Sequence, residues 1–221
     1  MSGTIALQGG GPFVANDDLD ARLLREVLAS ATDGARRVVV LPTADAYEHP
    51  ERLAAAAIAW GERLATAGVA IDVEALMVMR RAEALEPGPA AIIRRSRAVY
   101  LVGDQPLHLR SVLKDTPVWQ AMQEVLAAGG LVAAVGGSAD ALCDPMIDPR
   151  GGAFTLGLGL VSGLALVTEA ETWSPERLHR TLVLANTPVA TLPTGAALVR
   201  RNGTWEQVGD VVLQGDLPPG P

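Results

Sequence analysis

The 221 residues contain one cysteine, Cys143. No intrachain disulfide can form, and paired Cys-x-x-Cys ligands for zinc or redox chemistry are excluded. Histidine is almost as scarce. His49, His108 and His179 lie far apart without ligand-like spacing, so no metal site is expected. Aromatic residues make up only 4%, which leaves the core to be packed from Ala, Val and Leu. Clustered positive charge is also missing. The formal net charge is -7, and the Arg-Arg pairs at 36–37, 80–81, 94–95 and 200–201 are scattered. Phosphate backbones are bound by grouped Lys and Arg, so no nucleic-acid partner is expected. No apolar stretch reaches membrane-spanning length without Gly or charge, and the start MSGTIALQGGG lacks the basic and apolar regions of a signal peptide. No membrane partner and a cytoplasmic location are the expectations.

What is present is a sequence of globular composition, 49% hydrophobic and 19% charged. Apolar strands alternate with helical patterns. GTIALQG reads as a strand and DLDARLLREVLAS (18–30) as a helix with apolar positions at helical spacing. ARRVVVLPTAD, VAIDVEAL, RAVYLVGDQ and LVAAVGG read as further strands. Between them HPERLAAAAIAWGERLATAG, PAAIIRRS, LHLRSVLKDT and PVWQAMQEVLAAGG read as helices. Strands apolar on both faces predict an α/β fold: a mostly parallel central sheet covered by helices on both sides, three layers in all. Near the C-terminus RNGTW marks a β-hairpin. One domain over residues 1–214 is expected, with GDLPPGP (215–221) as a mobile tail.

In such sheets ligands bind beyond the strands' C-terminal ends. Three small-residue loops fall there: Gly9-Gly10-Gly11, Gly103-Asp104-Gln105 and Gly136-Gly137-Ser138. The glycines at 9–11 match neither G-x-G-x-x-G nor GxxxxGK[ST], so they read as a tight turn lining the cleft, and no nucleotide or other cofactor is expected. The third loop is the chemically informative one. A serine between a buried strand and a helix start can be exposed by the sharp turn, with the next backbone N–H available to an oxyanion. By itself GGS after a strand is a weak signal, and a plain connecting turn is the alternative.

LQGGG, VVVLPTAD, YLVGDQPLHLRSVL, GGSADALCDPMI and GLGLVSG follow one another in an order that resembles the cyanophycinase/dipeptidase E family of serine peptidases. That family shares the class I glutamine amidotransferase-like (flavodoxin-like) fold, and the resemblance spans roughly residues 3 to 213. It implies Ser138 as nucleophile. It also implies an oxyanion hole from the backbone N–H of Ala139 and the Gly103-Asp104 loop. Gln105 would line a cleft shared with Gly10, Gly11, Gly137 and Asp140, and a homodimer is implied as well.

Three departures from the family pattern bear on catalysis. Where the family reads S-A-G-A, this chain reads SADA. A carboxylate ~4 Å from an oxyanion, at an effective dielectric of ~20, costs about 4 kcal/mol, as much as the ~3–4 kcal/mol one oxyanion donor supplies. The family's Asp-x-His segment is replaced by LALVTEAETW, which puts Val167 and Glu169 at the acid and base positions. An ordinary carboxylate accepts a hydroxyl proton poorly. His108, at the start of the helix after Gln105, is a better substitute than His179, both reading first as surface or packing histidines, and Glu169 or His108 would be the makeshift base. The family's Gly-Ile-Asp-Glu segment is TLPT, Thr191 to Thr194. The expectation is therefore a non-catalytic or repurposed binder of a small peptide or small molecule. The alternative is an active hydrolase of small peptides or amides through Ser138. A glutamine amidotransferase would need cysteine at that position.

Overall fold

A computed structural model describes residues 3–30 and 36–219. Along the chain the strands are β1 (Thr4–Gln8), β2 (Arg37–Leu41), β3 (Asp72–Ala75), β4 (Ala98–Leu101) and β5 (Leu131–Val135). After them come the short β6 (Cys143–Asp144), β7 (Met146–Ile147), β8 (Phe154–Thr155), β9 (Val161–Ser162) and β10 (Ala165–Thr168). The last are β11 (Val189–Leu192), β12 (Ala197–Arg201), β13 (Thr204–Val208) and β14 (Val212–Gln214). The helices are α1 (Asp17–Ala29), α2 (Pro50–Thr66), α3 (Arg81–Leu85), α4 (Pro87–Arg94), α5 (Pro106–Leu113), α6 (Pro117–Ala127), α7 (Gly137–Leu142) and α8 (Pro175–Leu184).

The central sheet has seven strands in the order β13-β12-β1-β5-β4-β2-β3. From β1 to β3 the pairings are parallel, while β12 and β13 add an antiparallel margin beyond β1. The expected three-layer α/β architecture is what the chain adopts. Strand alternation explains the layers, because successive side chains enter opposite faces. Ile5, Leu7, Val39, Leu41, Val99, Leu101, Val132 and Ala134 pack with α4, α5, α6 and α7. Ala6, Val38, Val40, Tyr100, Ala133 and Val135 pack with α1 and α2.

Several helix starts are dictated locally. Thr116 accepts the Trp119 amide at 3.3 Å and Ser174 the Arg177 amide at 3.2 Å, each followed by proline at the first helical position. The expected hairpin joins β12 to β13 through Asn202 and Gly203, both at positive φ, as a two-residue turn of the twist-matching kind requires.

Two features lay outside the sequence reading. Helix α3 was not anticipated, and β10, β11 and β14 form a separate three-stranded sheet. Residues expected to form a free tail pack back onto the domain: Leu217 lies against the core, and the Trp205 indole donates to the Pro218 carbonyl at 2.8 Å. Among the described residues no helix is long and apolar enough to cross a membrane.

Register places the site. Gln8 pairs with Val135, Leu101 with Ala134, and Leu41 with Leu101. The parallel strands therefore end level, and the loops after β1, β2, β4 and β5 meet at one edge.

Candidate functional site

Strand β5 turns into α7 at Gly136, whose backbone angles are φ 62 and ψ -137. This is a conformation that side-chain-bearing residues adopt only under strain. In a strand-to-helix elbow the nucleophile occupies the strained residue itself. Here that residue is glycine, two positions before the expected serine. A Cβ on Gly136 would lie 2.4 Å from Asp104 Oδ1, and one on Gly137 would lie 2.8 Å from the Asp104 carbonyl. The loop after β4 thus lies across the elbow, and the Asp104 carboxylate fills the place of an elbow side chain. The same carboxylate accepts the Gly137 amide at 3.3 Å.

The placement of Ser138 differs from the sequence expectation. It lies inside the first turn of α7, is 0% exposed, and donates from Oγ to the Gly103 carbonyl at 2.9 Å. Its own amide donates to the same oxygen at 3.0 Å. The two expected oxyanion donors differ as well. The Ala139 amide is spent within the turn, on the Gly136 carbonyl at 2.9 Å. Gly103 presents its carbonyl to the serine, and Asp104 contributes a carboxylate where an N–H donor was expected.

A cavity of about 190 Å³ opens beside the elbow. It is lined by Asp104, Pro106 and Gly137, by Asp140, Ile147 and Leu166, and by Pro149, Thr168, Glu169, Thr172, Trp173 and Arg177. Glu169 is held at φ 48 directly after β10, with its amide on the Gly9 carbonyl at 2.9 Å and its own carbonyl accepting the Thr172 amide at 2.8 Å. Its side chain lies over Gly10, where a Cβ would come within 2.6 Å of Glu169 Cγ. Burial pushes the Glu169 carboxyl above its usual range, and the charges of Asp104 and Glu171 push it further. Burial also raises Asp104, against the lowering effect of the Gly137 amide, with Asp45 and Glu48 adding repulsion.

Asp140 is 5% exposed, and both its carboxylate oxygens accept the Ile147 amide, at 3.0 and 3.2 Å. Burial drives its carboxyl well above the usual range. The aspartate that broke the family pattern is thus a strut between α7 and β7. Replacing it with alanine leaves the Ile147 amide unsatisfied, and chemical denaturation should show a loss of about 2 kcal/mol. An unchanged midpoint would remove its structural role.

The remaining predicted residues lie elsewhere. His108 puts Nε2 3.0 Å from the Met79 carbonyl and its ring against Tyr47 at 4.6 Å, and it does not line the cavity. Neither do His49 and His179. Gln105 caps α5 and is not among the lining residues; Gly10 lies against Glu169, while Gly11 lies against Ala15 and Thr194, and neither lines the cavity.

Sequence reasoning missed Trp173 and Arg177. The Arg177 guanidinium lies over the Trp173 ring at 3.5 Å and donates through Nη2 to the Pro149 carbonyl, while its Nε is buried without a partner. Burial lowers its pKa, with Arg180 repelling it and Asp148 opposing the shift. The signal was present: Trp-Ser-Pro-x-Arg puts the arginine in the first turn of a capped helix, four residues after an aromatic.

No protein-family model matches the chain, and no curated protein does. Solved structures do. The chain is similar to a peptidase from an acI-B1 Actinobacterium at 24% identity and a TM-score of 0.83, covering 100% of this chain and 93% of that one. It is also similar to a Peptidase E candidate from Listeria monocytogenes EGD-e at 16% identity and a TM-score of 0.61, covering 97% of this chain and 98% of the other. The architecture is therefore that of the peptidase E-like structures.

Proposed function

We propose that this chain is a peptidase E-like protein that binds a small peptide or amino-acid-like ligand in the elbow cavity without hydrolysing it. One observation carries the reading: the strained elbow residue is Gly136, and the space beside it holds the Asp104 carboxylate. Hydrolysis through a serine needs an exposed hydroxyl, a base tuned near neutral pH and free oxyanion donors. Ser138 is buried, no histidine lines the cavity, and the first helical amide is already bonded to Asp104. The cavity lining combines the carboxylates of Asp104 and Glu169 with the Arg177 guanidinium. A ligand with an ammonium and a carboxylate complements both. A sole cysteine that is buried and unpaired accords with a cytoplasmic role.

The test pairs a serine-directed fluorophosphonate with calorimetric titration of small dipeptides. The expected result is no labelling of the folded chain, with dipeptide binding that weakens at least tenfold in Arg177→Ala. Stoichiometric labelling that disappears in Ser138→Ala would establish the hydrolase reading instead. Absence of both labelling and binding would discard the ligand.

A further inference from the structure

The end of β1 holds three things at once. The Gln8 carbonyl accepts the Gly136 amide at 3.0 Å, and the Gly9 carbonyl accepts the Glu169 amide at 2.9 Å. Gln8 itself is 1% exposed and donates from Nε2 to Asp20 Oδ1 at 2.7 Å. Asp20 is likewise 1% exposed, and its Oδ1 also accepts the Tyr100 hydroxyl at 3.1 Å. A carboxyl on the face of the sheet opposite α7 is thereby tied, through one side chain, to the elbow residue and to the cavity's glutamate.

Among the described residues no cation is paired with Asp20. Asp17, from the same helix, repels it. Arg63 of α2 is directed at Asp17 Oδ2 and the Phe13 carbonyl. Arg22 of α1 is paired with Glu26 and Glu206. β4 contributes Tyr100 and α2 the Trp60 ring, 5.0 Å from the tyrosine. From β5 and β12 come Ala133, Val135, Ala197 and Val199, all apolar. A buried carboxylate served only by neutral donors is costly, and it either takes up a proton or draws its surroundings apart.

We propose that Asp20 is a proton switch that sets, through Gln8, how firmly Gly136 and Glu169 are held at the cavity. With the proton on, a neutral acid accepts from Gln8 and Tyr100, and β1 stays closed on the elbow. When the proton leaves, the carboxylate gains from any donor it can recruit, and Gln8 shifts toward it. The backbone carbonyls of Gln8 and Gly9 move with it. Desolvation places the Asp20 pKa at about 7, where this change is accessible. The inference rests on the geometry of β1 and is independent of which ligand the cavity takes.

The test is an NMR pH titration of the isotope-labelled full chain from about pH 5.5 to about pH 8.5. The carboxyl carbon of Asp20 and the amides of Gly136 and Glu169 are expected to share one midpoint. Asp20→Asn should abolish the step at both amides. Glu169→Gln and Asp104→Asn, which remove the competing titrations in the cavity, should each leave the step at Gly136 in place. Gln8→Leu keeps both backbone carbonyls and covers the case in which Asp20→Asn does not fold. In it Asp20 should still titrate while the Gly136 step falls by at least half. A flat Gly136 amide across the Asp20 midpoint, or an undiminished step in Asp20→Asn or Gln8→Leu, overturns the proposal.

Discussion

Gly136→Ala is expected to lower stability by about 4 kcal/mol, combining ~1–3 kcal/mol of backbone strain with ~1–3 kcal/mol of overpacking. The backbone at this position has φ 62 and ψ -137, and the new methyl would fall 2.4 Å from Asp104 Oδ1. The two contributions can be separated. Asp104→Gly removes the obstructing carboxylate and leaves the backbone strain, so the double variant should recover roughly half of the loss, an interaction energy of ~2 kcal/mol in a double-mutant cycle. Urea unfolding of the four proteins measures it. Strict additivity would show that Asp104 does not fill the elbow, and with it would go the main support for a non-hydrolytic site. Gly136→Ser in the Asp104→Gly background should carry the same backbone cost, since the strain belongs to the conformation and not to the hydroxyl.

The second large effect is a stability that falls as pH rises. Asp20 has a folded-state pKa of about 7 against an ordinary value of 3.8. Between those two values the folded chain keeps a proton that the unfolded chain has released. More protons are bound to the native state, so unfolding free energy decreases with pH, by up to about 1.4 kcal/mol per pH unit. The contribution is complete below about pH 4 and lost by about pH 7, with an upper bound of roughly 4 kcal/mol. Asp104 and Glu169, both raised, act in the same direction but are partly solvated, and solvent screens most of their effect. Glu124, Asp148 and Glu171 are lowered by hydrogen bonds and act oppositely; Glu171 is exposed and the other two are partly exposed, so solvent screens them as well. Asp140, also buried and raised, acts in the same direction in parent and variant alike, so comparison with Asp20→Asn isolates Asp20. The variant should match the parent near pH 4 and exceed it near pH 8, because the amide keeps the acceptor for Gln8 and Tyr100 without a charge. Parallel stability curves for the two proteins across this range would contradict the assignment.

The layers of the fold were legible in the sequence because they rest on local periodicity. Residues 38–41, 98–101 and 131–135 are apolar at every position, which only a strand covered on both faces accommodates. The Asn202-Gly203 turn was legible because its required backbone conformation selects those residues. The location of the site, at the level ends of the parallel strands, followed from the same pattern.

The identity of the elbow residue did not follow. In Gly136-Gly137-Ser138 the family resemblance pointed to the serine, and nothing in three consecutive small residues says where the sharp turn falls. Contacts from a distant loop decide it: the Gly103 carbonyl takes the Ser138 amide and hydroxyl into the helix, and Asp104 covers the glycines. Asp140 likewise resembled a charge beside an oxyanion until the Ile147 amide, seven residues on, fixed its direction. Composition and spacing thus determined a three-layer α/β chain with its cleft at one sheet edge, because burial patterns are written residue by residue. Only the tertiary structure decided what the cleft contains, because the groups lining it are oriented by hydrogen bonds and steric contacts between separate elements, which spacing along the chain does not encode.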